Sequence, residues 1–393
     1  MRVTTGMVFD AGVSQIGKQT GKLLDVQQQV ASGRRIQRPS DDPVASARAL
    51  EVTQSKSVNS LYTANQGYAK DALRFVDSKL SDATDVLTYV RTRAVESGNG
   101  AYSKQDQASI AADLSQQFEA LQSIANTRDA TGDYVFGGYR SNIQPFAGGL
   151  TGGVSYQGDQ GARTLQISAS RNLPITSSGD EIFNTVRAPS GSAFALSTAA
   201  NTGTALVSDM TLSGYNGHAY TVSVGTGPTY SVVDNTTGAA VTPGSVTTVG
   251  GETKLTFGGV SLTLTGAPAV GDSFSVSTVA STFDLLGNFV AALKSGNAAV
   301  TRFGGGQAIA GMDATQDSLS RVQSGVGSRM VEVEAQQNLG SSLDVQYSET
   351  LSRLQDVDYA EAVSRLTQQQ TYLQAAQQSF MKVSNLSLFN YLN

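Results

Sequence analysis

The strongest constraint on this chain is a spacing that occurs twice, at opposite ends. Near the start, Val13, Ile16, Thr20, Leu23, Gln27 and Val30 alternate three and four residues apart. Near the finish, Tyr359, Val363, Leu366, Gln370, Leu373, Gln377 and Phe380 alternate four and three. This is the repeat of a helix that offers one stripe to another helix. Because the chain between them leaves and returns, the simplest arrangement lays the terminal helices side by side and antiparallel. The polar members of both stripes thin the seam. A fully buried Val, Leu, Ile or Phe contributes about 1.5–3 kcal/mol, while ordering backbone costs about 1–2 kcal/mol per residue. Such seams predict ends that gain their order when neighbouring copies cover the remaining faces.

Between the ends the composition changes twice. Residues from about Val13 to Asp133 read as helix, Tyr134 to about Ser281 is rich in Gly, Thr, Ser and Val, and helical texture then resumes. The fold class expected is α+β and multidomain: discontinuous N- and C-terminal helical coiled-coil or bundle domains with an inserted β-rich middle. The boundaries expected are 1–40 with 350–393 for a terminal antiparallel hairpin, 41–138 with 282–349 for a helical bundle, and 139–281 for the β-rich part. That last part reads as one unit or two, the latter dividing into 139–187 and 188–281.

Local signals refine this outline. In RPSDDP, Ser40 reads as an N-cap, Asp41 and Asp42 lie where the helix dipole favours acids, and Pro43 falls in the first turn, where its missing N–H costs nothing. The helix that follows carries Val58, Leu61, Ala72, Phe75, Leu87, Val90 and Ala94 on one stripe and stops at SGNG. Ser103 with Asp106 forms a capping box before Ile110, Leu114, Phe118, Leu121 and Ile124. The runs YVFGGY, GGVSYQGD, TLQISA, HAYTVSVG, TYSVVDNTTG, TKLTFGG, VSLTLTG and DSFSVSTV read as short antiparallel strands. Thr282 reads as the cap of the returning helix, and Gly304 to Gly306 as a flexible joint before a segment through Met312, Leu319, Val322, Val326, Met330 and Val333.

Catalytic chemistry finds little to work with. The chain has no cysteine and one histidine, His218, in a turn-like NGHAY, so thiolate sites and histidine metal clusters are excluded and no triad assembles. Ser379 and Lys382 match S-x-x-K by chance, since no K-T-G partner occurs and Phe380 belongs to the seam. No phosphate loop is present, and no cofactor or metal is expected. A net charge of -5 over 15% charged residues offers no basic stripe for nucleic acid. No apolar run approaches the ~18 residues of a membrane span. The opening MRVTTGMVFDAGVSQIGKQ lacks the apolar core of a Sec signal, so export, if it occurs, is expected by another route.

Three stretches carry a resemblance. ASGRRIQRPSDDPVASARAL at Ala31 to Leu50 resembles the N-terminal signature of the flagellin superfamily, its RPSDDP form being closer to the members found at the hook-filament junction. TRDATGDYVFGGYRSNIQPF at Thr127 to Phe146 is similar to that family's exit from helix into the β part. The segment from Leu354 to Leu392, with its SLFNYL ending, is similar to the family's C-terminal helix. The resemblance covers more than half of the chain and departs from shorter members at about Ser190 to Ser281. It implies a subunit exported through the flagellar type III apparatus and assembled between hook-associated protein 1 and flagellin. It also implies contact with copies of itself and with an export chaperone through the C-terminal helix.

On this reading the assembly residues are Val13, Ile16, Leu23, Val30, Tyr359, Val363, Leu366, Leu373 and Phe380. The connector to the next helical layer is Arg34, Arg38, Pro39, Ser40, Asp41, Asp42 and Pro43. A flagellin that polymerises by itself, or an adhesin displaying the β part, are the alternatives.

Overall fold

The computed structural model describes residues 5–98, 102–227 and 229–389. Among these described residues six α-helices form: α1 (Thr5–Ser32), α2 (Pro43–Ser97), α3 (Lys104–Ala125), α4 (Thr282–Ser295), α5 (Ala298–Gln355) and α6 (Tyr359–Phe389). Between α3 and α4 come the strands β1 (Phe146–Gly149), β2 (Gly153–Tyr156), β3 (Thr164–Ser168), β4 (Arg171–Pro174), β5 (Val186–Arg187), β6 (Phe194–Ser197), β7 (Leu206–Leu212) and β8 (Tyr220–Val224). They continue with β9 (Tyr230–Asp234), β10 (Ala239–Val241), β11 (Ser245–Val249), β12 (Glu252–Phe257), β13 (Val260–Thr265), β14 (Ser273–Ser277) and β15 (Val279–Ala280). The chain divides into two compact units, residues 1–64 with 337–393 and residues 65–336. The divisions fall inside α2 and α5, not at the expected 40/41 and 349/350. Among the described residues no helix is long and apolar enough to cross a membrane.

The larger unit is built on heptads. Along α2, Ala69, Leu73, Val76, Leu80, Ala83, Leu87, Val90 and Ala94 are buried at alternating intervals of four and three, as are Ala308, Met312, Thr315, Leu319, Val322 and Val326 along α5. Leu87, Val90 and Ala94 are buried as expected, whereas Leu73 and Val76 take the inner positions expected of Ala72 and Phe75. Val58 and Leu61 are exposed. From α3 come Leu114, Phe118 and Leu121, with Ile110 and Ile124 half-buried at the margin. Phe118, Phe146, Phe183 and Phe283 then close an aromatic cluster, with edge-on Phe118–Phe283 and Phe146–Phe183 pairs at centroid distances of 5.5 and 5.7 Å.

The caps agree in part with expectation. Ser103 Oγ accepts from the Asp106 amide at 3.2 Å, and Asp106 Oδ2 accepts from the Ser103 amide at 3.0 Å. At α4 the cap is Ser281, whose hydroxyl accepts from the Phe283 amide at 3.2 Å. Thr282 is instead fully buried, 3.0 Å from the hydroxyl of Thr315, so a core contact overrides its capping preference. The glycines at 304–306 make no joint, because α5 runs straight through them. A Cβ at Gly304 would lie 2.7 Å from that of Ala292, and one at Gly311 2.5 Å from Leu285 Cδ1. These glycines let α4 and α5 approach closely, which outweighs their poor helix propensity.

The strands make two kinds of structure. Two-stranded pairs β1–β2, β3–β4 and β5–β15 lie next to the bundle in the chain, with β3–β4 set against α2 through Gln66 Nε2 donating to the Ile167 carbonyl at 2.8 Å. A sandwich follows, with a five-stranded sheet ordered β10-β9-β8-β14-β6 and a four-stranded sheet ordered β11-β12-β13-β7. YVFGGY is not a strand: Tyr134 makes one bridge to Arg128, and Val135 and Phe136 pack into the core from a turn. The other seven runs each contain a strand. On β6, Phe194 and Leu196 join the bundle core while Ala195, with Ala193 just before the strand, joins the sandwich core, so one strand is shared by both.

Candidate assembly interface

The terminal helices α1 and α6 pair along one seam. On α1 its positions are Gly12, Ile16, Gln19, Leu23, Val26 and Val30, and on α6 they are Ala362, Leu366, Gln369, Leu373, Ala376 and Phe380, each spaced by four and three. Phe380 packs against Phe9 with ring centroids 5.1 Å apart, and at the other end the Tyr359 hydroxyl lies beside Gly33. The helices therefore run antiparallel. Phe380 fits because Gly12 has no side chain: a Cβ there would sit 2.5 Å from the ring. Gly33 plays the same part for Tyr359, where a Cβ would come 2.9 Å from the hydroxyl, and its φ of +71° favours glycine at the helix end.

Ile16, Leu23, Val30, Leu366, Leu373 and Phe380 thus lie in the seam as read from sequence. Val13, Tyr359 and Val363 do not: they are 50%, 56% and 49% exposed. Gly12, Gln19, Val26, Ala362, Gln369 and Ala376 hold the alternate positions instead. The apolar arc on each helix is wider than one seam, and the sequence reading centred on the arc. Across about 100° per residue, Phe9, Val13 and Leu24 form a second, exposed stripe on α1, and Tyr359, Val363 and Met381 form one on α6. The seam is also imperfectly satisfied, since the side-chain carbonyls of Gln19 and Gln369 are buried without a hydrogen-bond partner.

Between α1 and α2 the chain is held to the α5–α6 turn. The Arg35 amide donates to the Gln355 carbonyl at 2.7 Å, its guanidinium to the Leu354 carbonyl at 2.8 Å, and the Val357 amide to the Gly33 carbonyl at 3.0 Å. Arg35 also pairs with Asp42 at 3.3 Å. Of the connector residues read from sequence, Arg34 contributes a backbone bridge to Asp356, while the side chains of Arg38, Pro39 and Ser40 are exposed. Ser40 is not the cap of α2. Asp42 is, accepting from the Ala45 amide at 3.0 Å, with Pro43 the first helical residue. Asp41 instead gathers the loop amides of Gln37 and Arg38 at 3.0 and 2.8 Å. The amides of Arg38 and Gln37 hold the Asp41 carboxyl below its usual range, and the Ala45 amide does the same for Asp42. Sequence reasoning missed Arg35 because its partners are backbone carbonyls far along the chain.

Within the smaller unit α2 and α5 meet through polar contacts. Asn59, itself buried, donates to the Gly340 carbonyl at 2.8 Å, and Lys56 donates to Ser348 at 2.7 Å.

Comparison with known proteins places this architecture. The model of the bacterial flagellin N-terminal helical region matches residues 3–141, and that of the C-terminal helical region matches 306–392, together more than half of the chain. The flagellar hook-associated protein 3 of Salmonella typhimurium is 32% identical over 186 residues, 47% of this chain and 58% of that protein, so somewhat more than half of the relative's length is matched. The solved FlgL of Xanthomonas campestris is 28% identical with a TM-score of 0.54, over 77% of this chain and 99% of that one. Flagellar hook-associated protein-3 from Legionella pneumophila is 25% identical with a TM-score of 0.56, over 77% and 98%. The chain belongs to the flagellin superfamily, and within it resembles hook-associated protein 3.

Proposed function

We propose that this chain is a structural subunit of the bacterial flagellum that joins the hook to the flagellin filament, with no catalytic role. The observation that carries the reading is the second apolar stripe on the α1–α6 pair. Phe9, Val13, Leu24, Val363 and Met381 are each about half exposed or more beside a seam that already holds the two helices together. A tubular array needs different patches on each subunit to meet around the tube, and helices with more than one apolar stripe supply them. The terminal helices are the packing element, and the Arg34 to Pro43 connector, with Arg35 as its fastening, sets how that element leaves α2. By the family likeness the neighbours are copies of this chain, hook-associated protein 1 and flagellin. A cytoplasmic chaperone holds the C-terminal helix before type III export. A strain lacking the gene tests the reading. It should build hooks and shed flagellin into the medium, whereas normal filaments would overturn the assignment.

A further inference from the structure

Beside α4 in the larger unit lie two adjoining pockets of about 370 and 480 Å³ that share Gly153, Val154, Ser197, Thr198, Ala199 and Asp284. They form one cleft between the β1–β2 hairpin, the first turn of α4 and the connection from β6 to β7. Two polar groups there are unspent. Ser197 is 7% exposed and its hydroxyl has no partner. Asp284 has no ion-pair partner among the described residues, and its carboxylate accepts no hydrogen bond there. Lys294 is the one other ionisable group lining the cleft. It stands ten residues further along α4, about 15 Å at the helical rise. Nothing titratable faces Asp284 from the hairpin or from the β6–β7 connection. Glycines keep the space open: a Cβ on Gly153 would lie 4.0 Å from Asp284 Oδ1.

A helix-capping role does not account for Asp284. An acid in a first turn is favoured in its charged form by the helix dipole, yet burial pushes this carboxyl up to about 6. A partly buried carboxylate that opens into the cleft without a counter-charge is what a cationic ligand offsets.

We propose that this cleft binds an organic cation, an ammonium or guanidinium group, with Asp284 as its counter-ion. Two sources carry that chemistry: a free amine, or a Lys or Arg side chain of an adjoining flagellar subunit. The second source rests on the assembly reading above; the first does not.

The test is the carboxyl ¹³C titration of Asp284 in the aspartate-labelled full chain, its signal assigned by its loss in Asp284→Asn. In the free chain, n-butylammonium or N-acetyl-arginine amide should lower the midpoint saturably, by about one pH unit. That result supports the site and a free cation as occupant. A midpoint lowered only in assembled protein, without added amine, supports the site and a neighbour's side chain as occupant. Lys294→Ala should leave the free-chain midpoint and either response intact; a midpoint raised by the substitution would show an internal pair and overturn the proposal. An unchanged midpoint in both the free chain with tens of millimolar probe and the assembled protein would also overturn it, whatever becomes of the junction assignment.

Discussion

The seam of α1 with α6 and the core of the larger unit share one sequence rule and differ in what it buries. Both place residues at intervals of four and three. In the larger unit those positions are Leu73, Leu80, Leu87 and Leu319 at 0% exposure, in one core with the phenylalanine cluster. In the smaller unit the buried apolar residues are Ala45, Ala49 and Ala362, and more than half of the exposed large hydrophobics of the described residues lie there. A pair of helices can cover one stripe on each partner, whereas a bundle covers several. A heptad therefore tells where a helix packs, not how much of it the folded chain covers. In the smaller unit the remainder stays exposed.

The contrast can be broken by substitution, and the largest effect is expected in the bundle. Leu80→Ala should cost about 2–5 kcal/mol in urea denaturation of the free chain. Leu23→Ala, at a half-covered seam position, should cost less than about 1 kcal/mol there while weakening assembly. Equal costs would mean that the seam is a core like the other.

Asp284→Asn comes next, with the opposite sign. Because its folded pKa is raised from 3.8 to about 6, the linked stability is fully present below the lower value and lost as the pH rises through the higher one. The substitution should therefore stabilise the free chain by on the order of 2 kcal/mol above pH 6, with the gain vanishing near pH 4. A gain that is independent of pH would contradict the burial argument.

Arg35→Ala should cost a few tenths to about 1 kcal/mol, since its ion pair is half exposed and its bond to the Leu354 carbonyl is single. Faster amide exchange at Val357 should report it. Acid acts on the same connector. Asp41 and Asp42 are held below the usual carboxylate range, so the loop bonds of the one and the cap of the other are present at neutral pH and lost as the pH falls through those lowered values. Exchange at Ala45 should rise there, ahead of exchange at Leu80. The smallest effect on the free chain belongs to Val13→Lys, within about 0.5 kcal/mol, although the same change should block assembly in sedimentation.

The sequence made much of this legible, for identifiable reasons. Helix positions, the capping box at Ser103 and most strands follow from local periodicity and turn chemistry. The exact stripe did not: on α1 the reading preferred Val13 and Thr20 to Gly12 and Gln19, because it scores side chains, and a glycine that receives Phe380 has none to score. Gly304 was misread for the same reason, its role lying in what approaches it. Thr282 and Ser281 are equal candidates for a cap until Thr315 engages one of them. In the connector, Arg35 could not be told from Arg34 and Arg38 without its distant carbonyls, and β6 could not be seen to serve two cores from its four residues.

Amide hydrogen exchange on the full chain, free and assembled, tests the central contrast most directly. The account predicts that α1 and α6 exchange much faster than the bundle segments of α2 and α5 in the free chain, and become protected on assembly while the bundle is unchanged. Terminal helices as protected in the free chain as residues 69–94 and 308–326, with no gain on assembly, would contradict it.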